Sequence, residues 1–168
     1  ELDRVFKKGD IIFIEGRAQN YRNALQISIV TVKPCAPGDV DPADYQPVSK
    51  MDIPAMFRDI LAYIDSLSSE PLQKLLWAFF HDEETADRFR RAPAAKGFHH
   101  IYLGGLLEHT LSVVRMLDRA AEHYPHLNRD LLIAGGILHD IGKIYEFNYD
   151  GLIAYSDEGR MIGHLVIG

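Results

Sequence analysis

The chain has 168 residues, 47% hydrophobic and 25% charged, which suffices for one well-buried domain and a small appendage of ordinary globular composition. Its net charge of −6 offers no general attraction for nucleic acid, whose binding rests on Lys and Arg neutralising phosphates, so any such partner must be held by local features. No stretch approaches the roughly 18 unbroken apolar residues of a membrane span, and the start ELDRVFKKGD does not read as a secretory signal; a cytoplasmic protein with no membrane partner is expected.

Residues 11–19 and 24–33 are β-rich and partly alternating, and Asn20-Tyr21-Arg22-Asn23 between them supplies turn residues, so a hairpin is predicted. Two strands cannot stand alone in water. Residues 34–50 contain four prolines and no periodicity, as a linker does, and their single cysteine, Cys35, can form neither an internal disulfide nor a zinc knuckle. From residue 51 the pattern is helical. Asp52 or Ser49 can cap a helix over 53–67, and Ser68-Ser69-Glu70-Pro71 places caps and a first-turn proline before LQKLLWAFF. A short helix near 83–91 and a long one over 104–124 follow. Asn128 then caps RDLLIAGGILHDI, which Gly142 is placed to end. YEFNYDGLIAY reads as a second hairpin turning at Asp150-Gly151, and Ser156-Asp157-Glu158 opens a last helix. The chain starts at Glu1 without methionine and stops inside the apolar run GHLVIG, which reads as a piece of a longer protein.

Two helices carry the chemistry. His109 shares a face with Leu106, Val113, Leu117 and Ala120, at spacings of three and four, so its imidazole is expected to face the core. Taken alone, such a histidine is usually a hydrogen-bonded core residue. LLIAGGILHDI, however, is apolar on every side, as in a fully buried helix, yet ends in adjacent His139 and Asp140. A buried carboxylate is costly unless it is paired or binds a cation. Neutral imidazoles converging on one form a mixed N/O site for Mn, Fe, Co, Ni or Zn, and His164 in the last helix is a third inward-facing imidazole. The bland alternative is a His-Asp hydrogen bond.

FHHIYLGGLLEHTLSV, LLIAGGILHDIGKIYE and EGRMIGHLVIG together resemble the HD-domain phosphohydrolase superfamily over residues 98–168. They most resemble the YhaM-type 3′-to-5′ exoribonucleases, in which an OB-fold precedes the HD domain, so GDIIFIEGRAQNYRNALQISIVTVK fits the latter part of such a barrel. The resemblance implies that His109, His139 and Asp140 are metal ligands, with Asp140 able to bridge two ions and His164 a ligand of the second. It implies that Asp140 and Lys143 are catalytic, Lys143 contacting the scissile phosphate, and that the cofactor is a divalent transition metal, Mn before Fe, Co, Ni or Zn. It also places a further metal-binding aspartate beyond Gly168. From spacing alone, Lys143 reads equally as a solvent lysine at a helix C-terminus.

His99, His100 and Lys96 at the entrance to the long helix are candidate substrate contacts, and Arg88, Arg90 and Arg91 just before them could guide a phosphate backbone, although such runs are most often solvated faces. The expected architecture is mainly α: a partial OB-like nucleic-acid-binding segment over 1–35, a linker over 36–50 and a helical HD domain over 51–168. The expected function is metal-dependent hydrolysis of single-stranded RNA from its 3′ end. The rivals are an HD phosphohydrolase acting on nucleotides or cyclic dinucleotides and, in another class, a non-catalytic RNA-binding or regulatory module. An oligomer is left open.

Overall fold

The structure, a computed structural model, describes residues 6, 10–36, 38–40, 42–95, 102–149 and 153–168. It is mainly helical with a β segment at its N-terminal end, as expected, and divides into two units between Gln46 and Pro47.

In the first unit, β1 (Ile12–Tyr21) pairs antiparallel with β2 (Ala24–Pro34). The loop is two residues, Arg22 and Asn23, both at positive φ, shorter than the predicted turn. Two left-handed residues give a hairpin loop the twist of its strands, and asparagine tolerates that conformation well. A bulge at Glu15/Gly16 breaks the register. There a Cβ on residue 16 would lie 2.7 Å from the Ser28 carbonyl oxygen, so only glycine fits. Leu25, Ile27 and Ile29, alternate residues of β2 and hence on one face, are 80%, 65% and 47% exposed.

The second unit runs α1 (Ile53–Asp65), α2 (Glu70–Phe80), α3 (Glu83–Arg91), α4 (Gly105–His123), α5 (Arg129–Leu138), α6 (Lys143–Glu146), β3 (Phe147–Asn148), β4 (Ala154–Tyr155), α7 (Asp157–Met161) and α8 (His164–Ile167). The starts are legible in the caps: Asp52, Asp82, Asn128 and Ser156 each accept a hydrogen bond from a backbone N–H three residues on. Ile60, Ile64, Leu76, Phe89, Leu106, Leu107, Leu111, Ile133 and Ile137 form the core joining α1 to α5, each contributing about 1.5–3 kcal/mol by leaving water. Phe80 meets Phe57 and Phe89 edge to face at 5.9 and 5.0 Å. Ahead of α1 the chain is tied down: Ser49 N–H donates to the Leu103 carbonyl, and Leu103 N–H donates to that of Pro47, both at 2.9 Å.

Three expectations are corrected. The helix carrying His139 ends at Leu138, and Gly142, at φ −61°, continues a right-handed path into α6 instead of terminating it. The second hairpin is reduced to two residues per strand because Tyr145 and Glu146 belong to α6; its turn, Asp150-Gly151, lies outside the described residues. The last helix is broken into α7 and α8 at Gly163, where φ is +70°. No helix among the described residues is long and apolar enough to cross a membrane.

Candidate metal centre

The site begins with a helix contact. A Cβ on Gly136 of α5 would lie 2.6 Å from Leu117 Cδ1 and 3.3 Å from Val114 Cγ2 of α4, so glycine lets the two helices approach closely. That approach brings His109 of α4 to the C-terminal end of α5. His139 Nδ1 lies 2.8 Å from the Gly136 carbonyl, an acceptor only, so Nδ1 carries the proton and Nε2 presents a lone pair to the site.

His109 Nε2 is 3.2 Å from His139 Nε2 and 3.4 Å from Asp140 Oδ2, which is 3.3 Å from His139 Nε2. These three donor atoms form the metal-ligand group found among the described residues. A cation bound at about 2.1 Å to each needs ligand-to-ligand edges of about 3.0 Å in octahedral and about 3.4 Å in tetrahedral geometry. The triangle fits that requirement. As hydrogen bonds its edges are all longer than the usual value of about 2.9 Å, so the donor set suits a cation better than a direct His-Asp bond.

Asp140 is the hub. It is 8% exposed, and its second oxygen, Oδ1, lies 3.4 Å from His164 Nε2. Lys143 Nζ donates to Oδ2 at 2.8 Å. Burial by itself pushes the Asp140 carboxyl upward, but the Lys143 hydrogen bond and charge, with His139 and His164, outweigh it and hold the group below the ordinary carboxylate value, hence ionised near neutral pH.

His109, His139, Asp140, Lys143 and His164 are therefore brought together. The setting differs from the one expected: the imidazoles of His109 and His139 are 34% and 36% exposed, because α5 is not buried all round; Leu131 and Gly135 lie on its open side. On α4 the buried stripe runs through Leu106, Leu107, Thr110, Leu111 and Val114, with His109 at its margin. The candidate ligands thus sit at a rim open to solvent. His99, His100 and Lys96 lie outside the described residues. Arg88 pairs with Glu84, Arg90 and Arg91 with Asp87, and the three guanidiniums cover the rings of Tyr145, Phe57 and Tyr149, so much of the basic run is engaged within the fold.

One residue escapes sequence reading. Glu146, 6% exposed, accepts both the backbone N–H of His164 at 3.1 Å and its Nδ1–H at 2.9 Å. Its only signal is a carboxylate between the apolar residues Tyr145 and Phe147.

Residues 106–168 match the HD domain family. The chain is similar to proteins named 3′-5′ exoribonuclease YhaM: 34% identical over 158 residues to that of Listeria innocua, covering 94% of this chain and 50% of the relative. It is 32% identical to that of a Geobacillus species and 31% to that of Halalkalibacterium halodurans, covering 99% of this chain in both cases and 51% and 52% of the relatives. The chain thus spans about half the length of these curated relatives. No solved structure matches it.

Proposed function

Residues 106–168 match the HD domain family, and from that premise we propose that the chain is the phosphodiester-cleaving part of a metal-dependent 3′-to-5′ exoribonuclease. The observation that carries the reading is the convergence of His109, His139, His164 and Lys143 on the two oxygens of one carboxylate, Asp140. His109, His139 and Oδ2 would hold one divalent ion; Oδ1 and His164 Nε2 face a second position. The ion is taken to be manganese, with iron, cobalt, nickel or zinc fitting the same nitrogen and oxygen donors. When bound, such an ion supplies Lewis acidity, neutralising phosphate charge and making water acidic enough to attack near neutral pH. The chain's own residues do the rest. Asp140 stays ionised and would contribute one oxygen to each position. Lys143 adds fixed positive charge where charge develops on the phosphoryl oxygens. His139 keeps its lone pair on the site because Gly136 holds its proton on the other nitrogen.

The name of the relatives supports RNA, attacked from its 3′ end, as the substrate. Incubating 5′-labelled single-stranded RNA with the protein and Mn²⁺ should give products shortening stepwise from the 3′ end, with chelation stopping the reaction. Cleavage of nucleotides or cyclic dinucleotides with RNA left intact would transfer the site to a nucleotide phosphohydrolase. Ion binding without hydrolysis of any phosphate ester would leave a non-catalytic module.

The division of labour is part of the proposal. The N-terminal hairpin, read as part of an OB-like module, holds the strand through Arg17, Tyr21 and Arg22, the last with its guanidinium 5.2 Å over the Tyr21 ring. Base stacking of this kind is worth about 1–3 kcal/mol per base. Deleting the module should therefore raise KM on long RNA about tenfold or more, with kcat and the hydrolysis of bis(p-nitrophenyl) phosphate nearly unchanged. An unchanged KM and salt response on long RNA would show that the strand is held elsewhere.

A further inference from the structure

We infer that Glu146 is a positioning residue that sets the proton of His164, so that His164 Nε2 faces Asp140 as a bare lone pair; this rests on the metal reading above. Glu146 lies one helical turn beyond Lys143, at the end of α6. A carboxylate that is 6% exposed needs strong partners in place of water, and among the described residues its hydrogen-bond donors are both groups of one residue, His164. Oε1 holds the backbone N–H, which anchors the start of α8, and Nδ1–H, which fixes the ring.

The consequence is electronic as well as steric. A carboxylate acceptor at Nδ1 keeps the neutral imidazole's proton on that nitrogen. The opposite nitrogen, Nε2, lies 3.4 Å from Asp140 Oδ1 and is left with its lone pair. His139 reaches the same state with a backbone carbonyl as acceptor. The two imidazoles on either side of Asp140 are thus oriented by different devices, and only that of His164 carries charge.

The surroundings enforce this orientation. The Glu146 carbonyl accepts the Ser156 N–H at 2.9 Å, the Ser156 hydroxyl donates to the Tyr145 carbonyl at 2.8 Å with the Glu146 carbonyl at 3.2 Å, and the Ser156 hydroxyl oxygen accepts from Gly159 N–H at 2.9 Å. A Cβ on Gly159 would overlap the Glu146 backbone. The backbone that carries the carboxylate is therefore clamped before the side chain engages His164. A purely structural alternative exists: a doubly protonated His164 bridging Asp140 and Glu146 as an ion pair. The two differ in where protons sit.

The test is imidazole ¹⁵N NMR on the metal-free protein at pH 8, followed by titration with Mn²⁺ or Co²⁺. In the wild type, His164 should show a protonated Nδ1 and an unprotonated Nε2. Glu146→Gln keeps an acceptor oxygen and should retain that tautomer with a modest loss of affinity. Glu146→Ala should shift the proton toward Nε2 and weaken the ion at the His164 position about 10- to 100-fold, leaving the ion at His109 and His139 within about twofold. A wild-type His164 protonated on both nitrogens, or on Nε2, would overturn the proposal without any variant needing to fold. So would a Glu146→Ala protein that keeps both tautomer and affinity. If the wild type binds no ion at all, the metal reading fails by that result, while the tautomer still decides whether Glu146 sets the proton.

Discussion

Asp140→Ala is expected to lower Mn²⁺-dependent hydrolysis on the order of a thousandfold. Both oxygens of this carboxylate are used, Oδ2 toward His109, His139 and Lys143 and Oδ1 toward His164, so one truncation removes a donor from both proposed cation positions. Losing about 4 kcal/mol of transition-state stabilisation corresponds to that factor. Read from the sequence, a lone buried carboxylate would leave the metal-free protein unharmed, or more stable, on its removal. The structure reverses that sign, because Lys143, whose side chain is 15% exposed, would lose its partner. A loss of about 1–3 kcal/mol in the metal-free protein is the expected result. The pH dependence follows from the lowered Asp140 pKa. A carboxylate whose folded-state pKa lies below the ordinary 3.8 stabilises the fold above that value and ceases to do so as pH falls through the folded pKa. The wild-type advantage over the variant in metal-free thermal melts should therefore be present at neutral pH and fade below about pH 4. Turnover within tenfold of wild type would remove Asp140 from the reaction.

The second large effect is expected at Gly142, with Gly135 as its control. Gly142 has an ordinary φ of −61°, so alanine meets no backbone strain there; the demand is for space. A Cβ at this position would overlap the His164 carbonyl oxygen and lie 2.7 Å from the Gly168 nitrogen. Both atoms are backbone, so α8 must move. Overpacking of this kind costs about 2–3 kcal/mol, and displacing His164 by about an ångström from Asp140 costs about a hundredfold in rate. Gly135→Ala places its methyl where nothing lies within 4 Å, on an exposed helix position, and should leave activity intact while stabilising the fold by up to about 1 kcal/mol. Thermal melts and kcat on both variants check the pair. Equal behaviour would mean that α8 does not depend on the close approach at Gly142.

The candidate ligand group was legible without coordinates because its signal is local. Adjacent His139 and Asp140 end an apolar segment, and a further histidine shares the apolar face of a long helix; polar groups so placed need a common partner. The helix starts were legible for the same reason, since Asp52, Asn128 and Ser156 act on backbone groups three residues away.

What sequence alone could not decide depends on contacts between residues far apart in the chain. The exposure of His109 and His139 followed from which side of α5 the other helices leave open, and periodicity could not assign sides in a run apolar all round. Gly142 looked like a helix terminator because glycine most often serves there, yet its role is to let the α8 backbone approach, a partner 22 residues on. Glu146 read as one polar residue of a short strand. Only the packing of α8 against α6 showed it to be buried and bonded twice to His164. Caps and polar pairs close in sequence are determined by local hydrogen bonding, whereas the burial of a carboxylate and the nitrogen an imidazole presents are settled by whatever tertiary packing sets against them.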